Sequence, residues 1–139
     1  MRITIRNSQK KIPIDPKRIK KTILKVLSKE NKRTAGEITV YFADDQKIKE
    51  LNFRFLGKDT PTDVLAFDMS KAKGLSPLLA DIAISTDTAV RNSRVFKTTR
   101  LYELYLYLVH GLLHILGYDH RGRRQKQLMR QKEREYVHT

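Results

Sequence analysis

The sequence predicts an α+β fold: a small four-stranded mixed sheet packed with helices around one buried, central helix. Three observations lead there. Strand-like stretches near residues 2–6, 37–42, 63–67 and 81–85 interleave with helical spacing. Three helical stretches then follow in a row, giving β-α-β-α-β-β and then α-α-α. The segment Thr98–Leu116 is apolar nearly all round, as a helix enclosed by the rest of the fold must be. Finally, 139 residues with no linker, repeat or low-complexity segment make one domain, residues 1–139, long enough to bury a sizeable core.

Each element has a local reason. Arg2–Arg6 alternates, with Ile3 and Ile5 on one face. Asp15-Pro16 starts a helix reaching about Lys29, the aspartate as cap and the proline in the first turn. That helix puts Ile19, Ile23, Leu24 and Leu27 on one face and lysines on the other. Glu37–Phe42 is rich in β-branched and aromatic residues. Asp44 or Asp45 caps the next helix, through Leu51 and Phe55. Residues 57–62, Gly-Lys-Asp-Thr-Pro-Thr, form a turn-rich connection to the strand Asp63–Phe67. Lys71–Pro77 reads as loop and Asp81–Ser85 as the fourth strand. Helices then cover Thr86–Arg94, Thr98–Leu116 and Arg123–Tyr136.

Charge narrows the partners. The chain carries 29 Lys and Arg against 15 Asp and Glu, a formal +14. Residues 1–33 hold twelve of the basic side chains and residues 121–135 seven, whereas the middle is nearly neutral. Clustering of this kind suits a polyanion held through its phosphates, which RNA fits better than any small substrate; no DNA partner is expected. Tyr102, Tyr105 and Tyr107 lie in the apolar helix, too deep for base stacking, so specificity is expected from RNA structure or a ribosome-bound partner. The absence of cysteine excludes disulfides and thiolate metal sites and suits a cytoplasmic protein. The start lacks a signal peptide's apolar stretch. Leu101–Leu116, broken by Glu103, His110 and His114, is too short and too polar to span a membrane.

Three of the four histidines fall within eleven residues, His110-Gly-Leu-Leu-His114-Ile-Leu-Gly117-Tyr-Asp-His120. His110 and His114 are one helical turn apart, and Gly117 is placed to let the chain leave the helix at positive φ. His120, just beyond, can swing back. Three imidazoles and an open fourth position suit a hydrolytic zinc site, in which bound water is acidified to a pKa of about 7. The spacing matches the metzincin pattern, except that Gly111 stands where a zinc peptidase carries its glutamate base. Asp119 has two readings: an acceptor for a histidine N–H or for a proton from the water, or a turn-stabilising aspartate. Met129, in a charged helix, is a packing residue, and His138 an exposed one.

This histidine segment closely resembles the signature of the YbeY family of bacterial endoribonucleases. Gly57-Lys-Asp-Thr-Pro-Thr-Asp-Val-Leu-Ala-Phe67 and Asp81-Ile-Ala-Ile-Ser85 agree with it in order and spacing. The resemblance implies a zincin-like α+β domain with one Zn²⁺ on His110, His114 and His120. It also implies maturation of ribosomal RNA, notably at the 3′ end of the small-subunit RNA, and removal of defective ribosomes. Two positions depart from the family. Leu56 stands where members carry an arginine tied to activity, and Ala80 where many have glycine. Lys58 or Arg54 is then the candidate cation for charge developing on the phosphate. The rival functions are a zinc peptidase, which Gly111 opposes, and a non-catalytic ribosome-assembly factor whose metal only stiffens the fold.

Overall fold

A computed structural model of the chain describes residues 1–30, 35–70, 77–119 and 121–137. Its elements are β1 (Arg2–Asn7), α1 (Pro16–Lys29), β2 (Gly36–Ala43), α2 (Asp45–Leu56), β3 (Val64–Asp68), β4 (Leu78–Ser85), α3 (Thr86–Val95), α4 (Arg100–Ile115) and α5 (Gly122–Tyr136). The predicted order holds, in an α+β fold with a mixed sheet. Strands lie in the order β1-β2-β4-β3, the first three parallel and β3 antiparallel at one edge. β4 begins at Leu78, three residues before the predicted start, because all of it pairs with β2, from Gly36 opposite Leu78 to Ala43 opposite Ser85. Two adjacent leucines, Leu78 and Leu79, hide the alternation there. Most of the predicted loop, residues 71–76, lies outside the described residues.

Strand alternation sorts the sheet into two faces. Ile38, Val40 and Phe42 of β2 and Ala80, Ile82 and Ile84 of β4 are buried in the main core with α1 and α4. The opposite face is covered by α2, whose Ile48 packs with Ala43, Leu65 and Ala83 in a smaller cluster. α4 thus runs between the sheet and the outer helices, and Leu104, Leu108, Leu112 and Leu113 are all but inaccessible. Each such side chain contributes about 1.5–3 kcal/mol relative to exposure.

Side-chain caps start three of the helices, two of them at the predicted aspartates and the third at Thr99, one residue after the predicted start. Asp15 accepts from Arg18 N, Asp44 from Lys47 N, and Thr99 from Tyr102 N. Asp44, not Asp45, is therefore the cap of α2. Asp45 instead accepts from Ser85 Oγ at 2.6 Å and pairs with Arg91 at 2.6 Å, tying α2 to the start of α3. The buried Glu103 of α4 is satisfied by Thr98 Oγ1 at 2.8 Å and Tyr107 OH at 3.2 Å, as a carboxylate withdrawn from water requires. Tyr107 in turn accepts from Asn92 of α3. None of the described helices is long and apolar enough to cross a membrane.

Candidate active site

The C-terminal end of α4 carries His110 and His114 on one face, and its exit is built by hydrogen bonds. Gly117 N donates to His114 O at 3.1 Å, and Tyr118 N to Leu113 O at 3.0 Å. This double closure places Gly117 in the left-handed position, at φ +104°, where a side chain would be strained. The chain therefore turns back at residue 117, and α5 returns alongside α4. His120, the third predicted ligand, lies outside the described residues.

His110 is half-buried and oriented. Its Nδ1 donates to Oε2 of Glu133, a glutamate only 13% exposed, at 3.0 Å. A carboxylate on Nδ1 fixes the tautomer with its proton on Nδ1 and Nε2 unprotonated, the form in which a histidine ligates a metal. Glu133 reaches this place because α5 packs inward through Met129 and Tyr136. The same helix face presents residues 129, 133 and 136, spaced by four and three. A cavity of about 320 Å³ opens beside His110, lined also by Asp63, Tyr107, Lys126, Arg130 and Glu133. Lys126 and Arg130, one turn apart, give it two cations next to the imidazole.

A buried clasp holds α5 in register. Tyr118 OH and Tyr136 OH each donate to Glu30, and Lys132 Nζ lies 3.3 Å from the same carboxylate. Burial works to raise the pKa of Glu30. The bonds from Tyr118, Tyr136 and Lys132 more than offset it, holding the carboxyl below its ordinary value. Burial and then the bond to Glu30 push Tyr118 up to about 12. One carboxylate at the end of α1 thereby joins the turn after α4 to the last turn of α5.

Gly111 has a steric cause. A Cβ built there would stand 3.1 Å from Ile82 Cγ2 and 3.2 Å from Val64 Cγ2. α4 lies that close to β3 and β4, so a glutamate would drive its carboxylate into apolar side chains. Packing disfavours a side chain at the position of the peptidase base.

The other candidates scatter. Asp63 lines the His110 cavity and accepts from Val64 N at 2.7 Å, while Thr62 donates to it. Asp119 accepts from Arg121 N at 3.1 Å and lies 3.4 Å from Arg121 Nε, turn contacts at the entry to α5. Lys58 is exposed on the connection after α2, which Asn52 anchors by donating to Thr60 O. Leu56 is 51% exposed at the end of α2. Arg54 lines a separate groove on the other side of the sheet. Neither Lys58 nor Arg54 lines the cavity beside His110. Met129 is buried, as a packing residue should be, and His138 lies outside the described residues. Sequence reasoning missed Glu133, Lys126 and Arg130. The signal for Glu133 was its helical spacing from Met129 and Tyr136, the only long apolar side chains of α5 besides Leu128.

As donors, His110 and His114 suit zinc, the first already oriented by a carboxylate. Among the described residues no three His, Cys, Asp or Glu side chains are grouped to hold a metal.

An imidazole oriented by a carboxylate, beside Lys126 and Arg130 in one cavity, is a site equipped for chemistry on a polar substrate. The family model described as Endoribonuclease YbeY matches residues 4–139, and the chain belongs to that family of RNA hydrolases. Among its relatives, the Endoribonuclease YbeY of Syntrophus aciditrophicus is 40% identical, over 97% of this chain and 87% of that one. Those of Petrotoga mobilis (40% identity, 86% and 81% covered) and Pelotomaculum thermopropionicum (34%, 99% and 95%) bear the same name. The solution structure of TM1509 from Thermotoga maritima superposes with a TM-score of 0.68 at 29% identity, covering 97% of this chain and 86% of that one.

Proposed function

We propose that this chain is a zinc-dependent endoribonuclease of the cytoplasm that cuts unpaired RNA during maturation of the small-subunit ribosomal RNA at its 3′ end, and in ribosome quality control. The observation that carries the reading is the Glu133–His110 pair, with its bond of 3.0 Å, set in a cavity that also holds Lys126 and Arg130. His110, His114 and His120 would hold the metal. A bound zinc would supply a Lewis acid for the phosphodiester and acidify a nucleophile at neutral pH.

The chain's own residues do the rest. Glu133 keeps the proton on His110 Nδ1 and so keeps Nε2 unprotonated. Lys126 and Arg130 bind the phosphate flanks and stabilise negative charge as it accumulates during cleavage, the task first given to Lys58 and Arg54. Met129 and Tyr107 wall the cavity and limit water around the reacting phosphate. Gly111 supplies no carboxylate where a peptidase has its base, which favours RNA over peptide.

The test compares wild type with His114→Ala on an unstructured oligoribonucleotide and on a fragment spanning the 3′ end of small-subunit RNA, with zinc measured in both proteins. Wild type should hold about one zinc and cut the RNA, and the variant should lose both. Equal cutting by the two preparations would refute the proposal.

A further inference from the structure

The sheet face turned away from the histidines carries a second cavity, of about 420 Å³, between α2 and the strands. Its wall is aromatic: Tyr41, Phe55 and Phe67 line it, and the Phe55 and Phe67 rings lie 5.1 Å apart at 43°. Its rim is cationic, formed by Arg6 from β1 and by Lys47 and Arg54 from α2. None of these three forms a side-chain ion pair among the described residues, whereas Asp45 pairs with Arg91 and Lys49 lies 3.8 Å from Asp59. Phe55 is 54% exposed and its helix neighbours Phe53 and Leu56 are 60% and 51% exposed. Of these only Phe55 lines the cavity, and an exposed aromatic ring on a cavity wall marks a binding site.

The lining narrows the occupant. Flat aromatic walls ringed by unpaired cations are how proteins hold single-stranded nucleic acid, bases on the rings and phosphates on the cations. One acid, Asp81, also lines the cavity, and no described residue donates a hydrogen bond to it. It stands opposite Phe67 and Thr39 in the sheet register and offers an acceptor for the amino edge of a base. Burial pushes its carboxyl up. The edge strand β3 separates this groove from the histidine cavity. Val64 and Ala66 lie toward Gly111, whereas Phe67 lines the groove and Asp63, just before the strand, lines the cavity.

We propose that the groove between α2 and the outer sheet face is an anchoring site for an unpaired nucleotide of RNA, its base against Phe55 and Phe67 and its phosphates on Arg6, Lys47 and Arg54. The inference rests on reading the chain as an RNA-cutting enzyme and adds a second point of attachment away from the cleaved bond. A strand crossing the β3 edge would be held on both sides, which gives the enzyme a preference for unpaired RNA without reading its sequence.

The test is binding, separated from cleavage. Fluorescence anisotropy of a labelled, non-cleavable 2′-O-methyl dodecanucleotide is measured across salt concentrations for the full chain. Wild type is compared with Phe55→Ala, with Arg6→Gln/Lys47→Gln, and with Lys17→Gln/Lys21→Gln on the exposed face of α1 as a control for general charge. Phe55→Ala should weaken binding about tenfold, the loss of one base–aromatic stack, with the salt slope unchanged. Arg6→Gln/Lys47→Gln should flatten the slope of log K against log salt by about 1.4, two phosphate contacts on a single strand. The α1 control should change affinity less than either groove variant. Groove variants that bind no worse than the control would overturn the proposal and leave the RNA-cutting reading standing. Failure of wild type to bind the oligonucleotide at all would overturn both. Tighter capture of polyglutamate than of the oligonucleotide, lost in Arg6→Gln/Lys47→Gln, would assign the groove to an acidic protein and overturn the proposal alone.

Discussion

Replacing Glu133 by glutamine tests how the histidine site is built. The substitution keeps size and shape and removes the charge facing His110 Nδ1. The bond spans 3.0 Å between side chains 28% and 13% exposed, so it is sheltered without being sealed from water. A hydrogen bond to a charged group contributes about 1.5–3 kcal/mol, and partial exposure places this one toward the lower end. Loss of a carboxylate behind a ligating histidine typically weakens metal binding about 10- to 100-fold. In free energy that is about 1.4–2.7 kcal/mol, the same range from an independent direction. Zinc affinity is measured by competition with a chromophoric chelator, and the stability of the metal-free proteins by urea unfolding. A zinc affinity weakened at least tenfold, with metal-free stability changed by less than about 1 kcal/mol, is the expected result. ¹⁵N NMR of His110 should show the Nδ1-protonated tautomer in wild type and a mixture in Glu133→Gln. Zinc affinity within twofold of wild type would refute the assignment of Glu133.

Three further outcomes follow from the same structure. Gly111→Ala gains about 1 kcal/mol of helix propensity but forces its methyl against Ile82 and Val64, an overpacking cost of about 1–3 kcal/mol, so urea unfolding should show a net loss. Gly111→Glu should lose several times more. Lys126→Gln/Arg130→Gln should lower kcat/KM on RNA by about 100-fold with zinc affinity unchanged, as expected for cations that act on the substrate rather than on the metal. The Glu30 clasp predicts a pH dependence. Because the folded pKa of Glu30 lies below its ordinary 4.5, its stabilisation is present above pH 4.5 and is lost as pH falls through the lowered value. Tyr118, raised to about 12, contributes stability that is full below pH 10 and lost as pH rises toward 12. Glu30→Gln should therefore be least stable relative to wild type near neutrality, with the difference narrowing in acid.

Local chemistry made much of the fold legible. Asp15-Pro16 announces its helix by capping, and the apolar run of α4 announces a buried helix whatever surrounds it. The start of β4 was not legible, because its extent is set by pairing with β2 and not by its own alternation. In the site, His110, His114 and Gly117 stand out by spacing alone. Glu133 does not, because in the sequence it is one of two acids in a basic run. What brings it to His110 is the turn at Gly117 and the clasp on Glu30, a contact between residues 106 positions apart. The cations follow the same rule. Lys58 and Arg54 are near the motif in sequence, whereas Lys126 and Arg130 are near His110 in space because α5 folds back.

The central claim is that His110, His114 and His120 hold one zinc ion and leave a coordination position open. X-ray absorption spectroscopy on the zinc-loaded full-length protein tests it most directly. The account predicts three imidazole nitrogens at about 2.0–2.1 Å and a single light oxygen neighbour from solvent. A spectrum fitted by four protein ligands, or by fewer than three imidazoles, would contradict it.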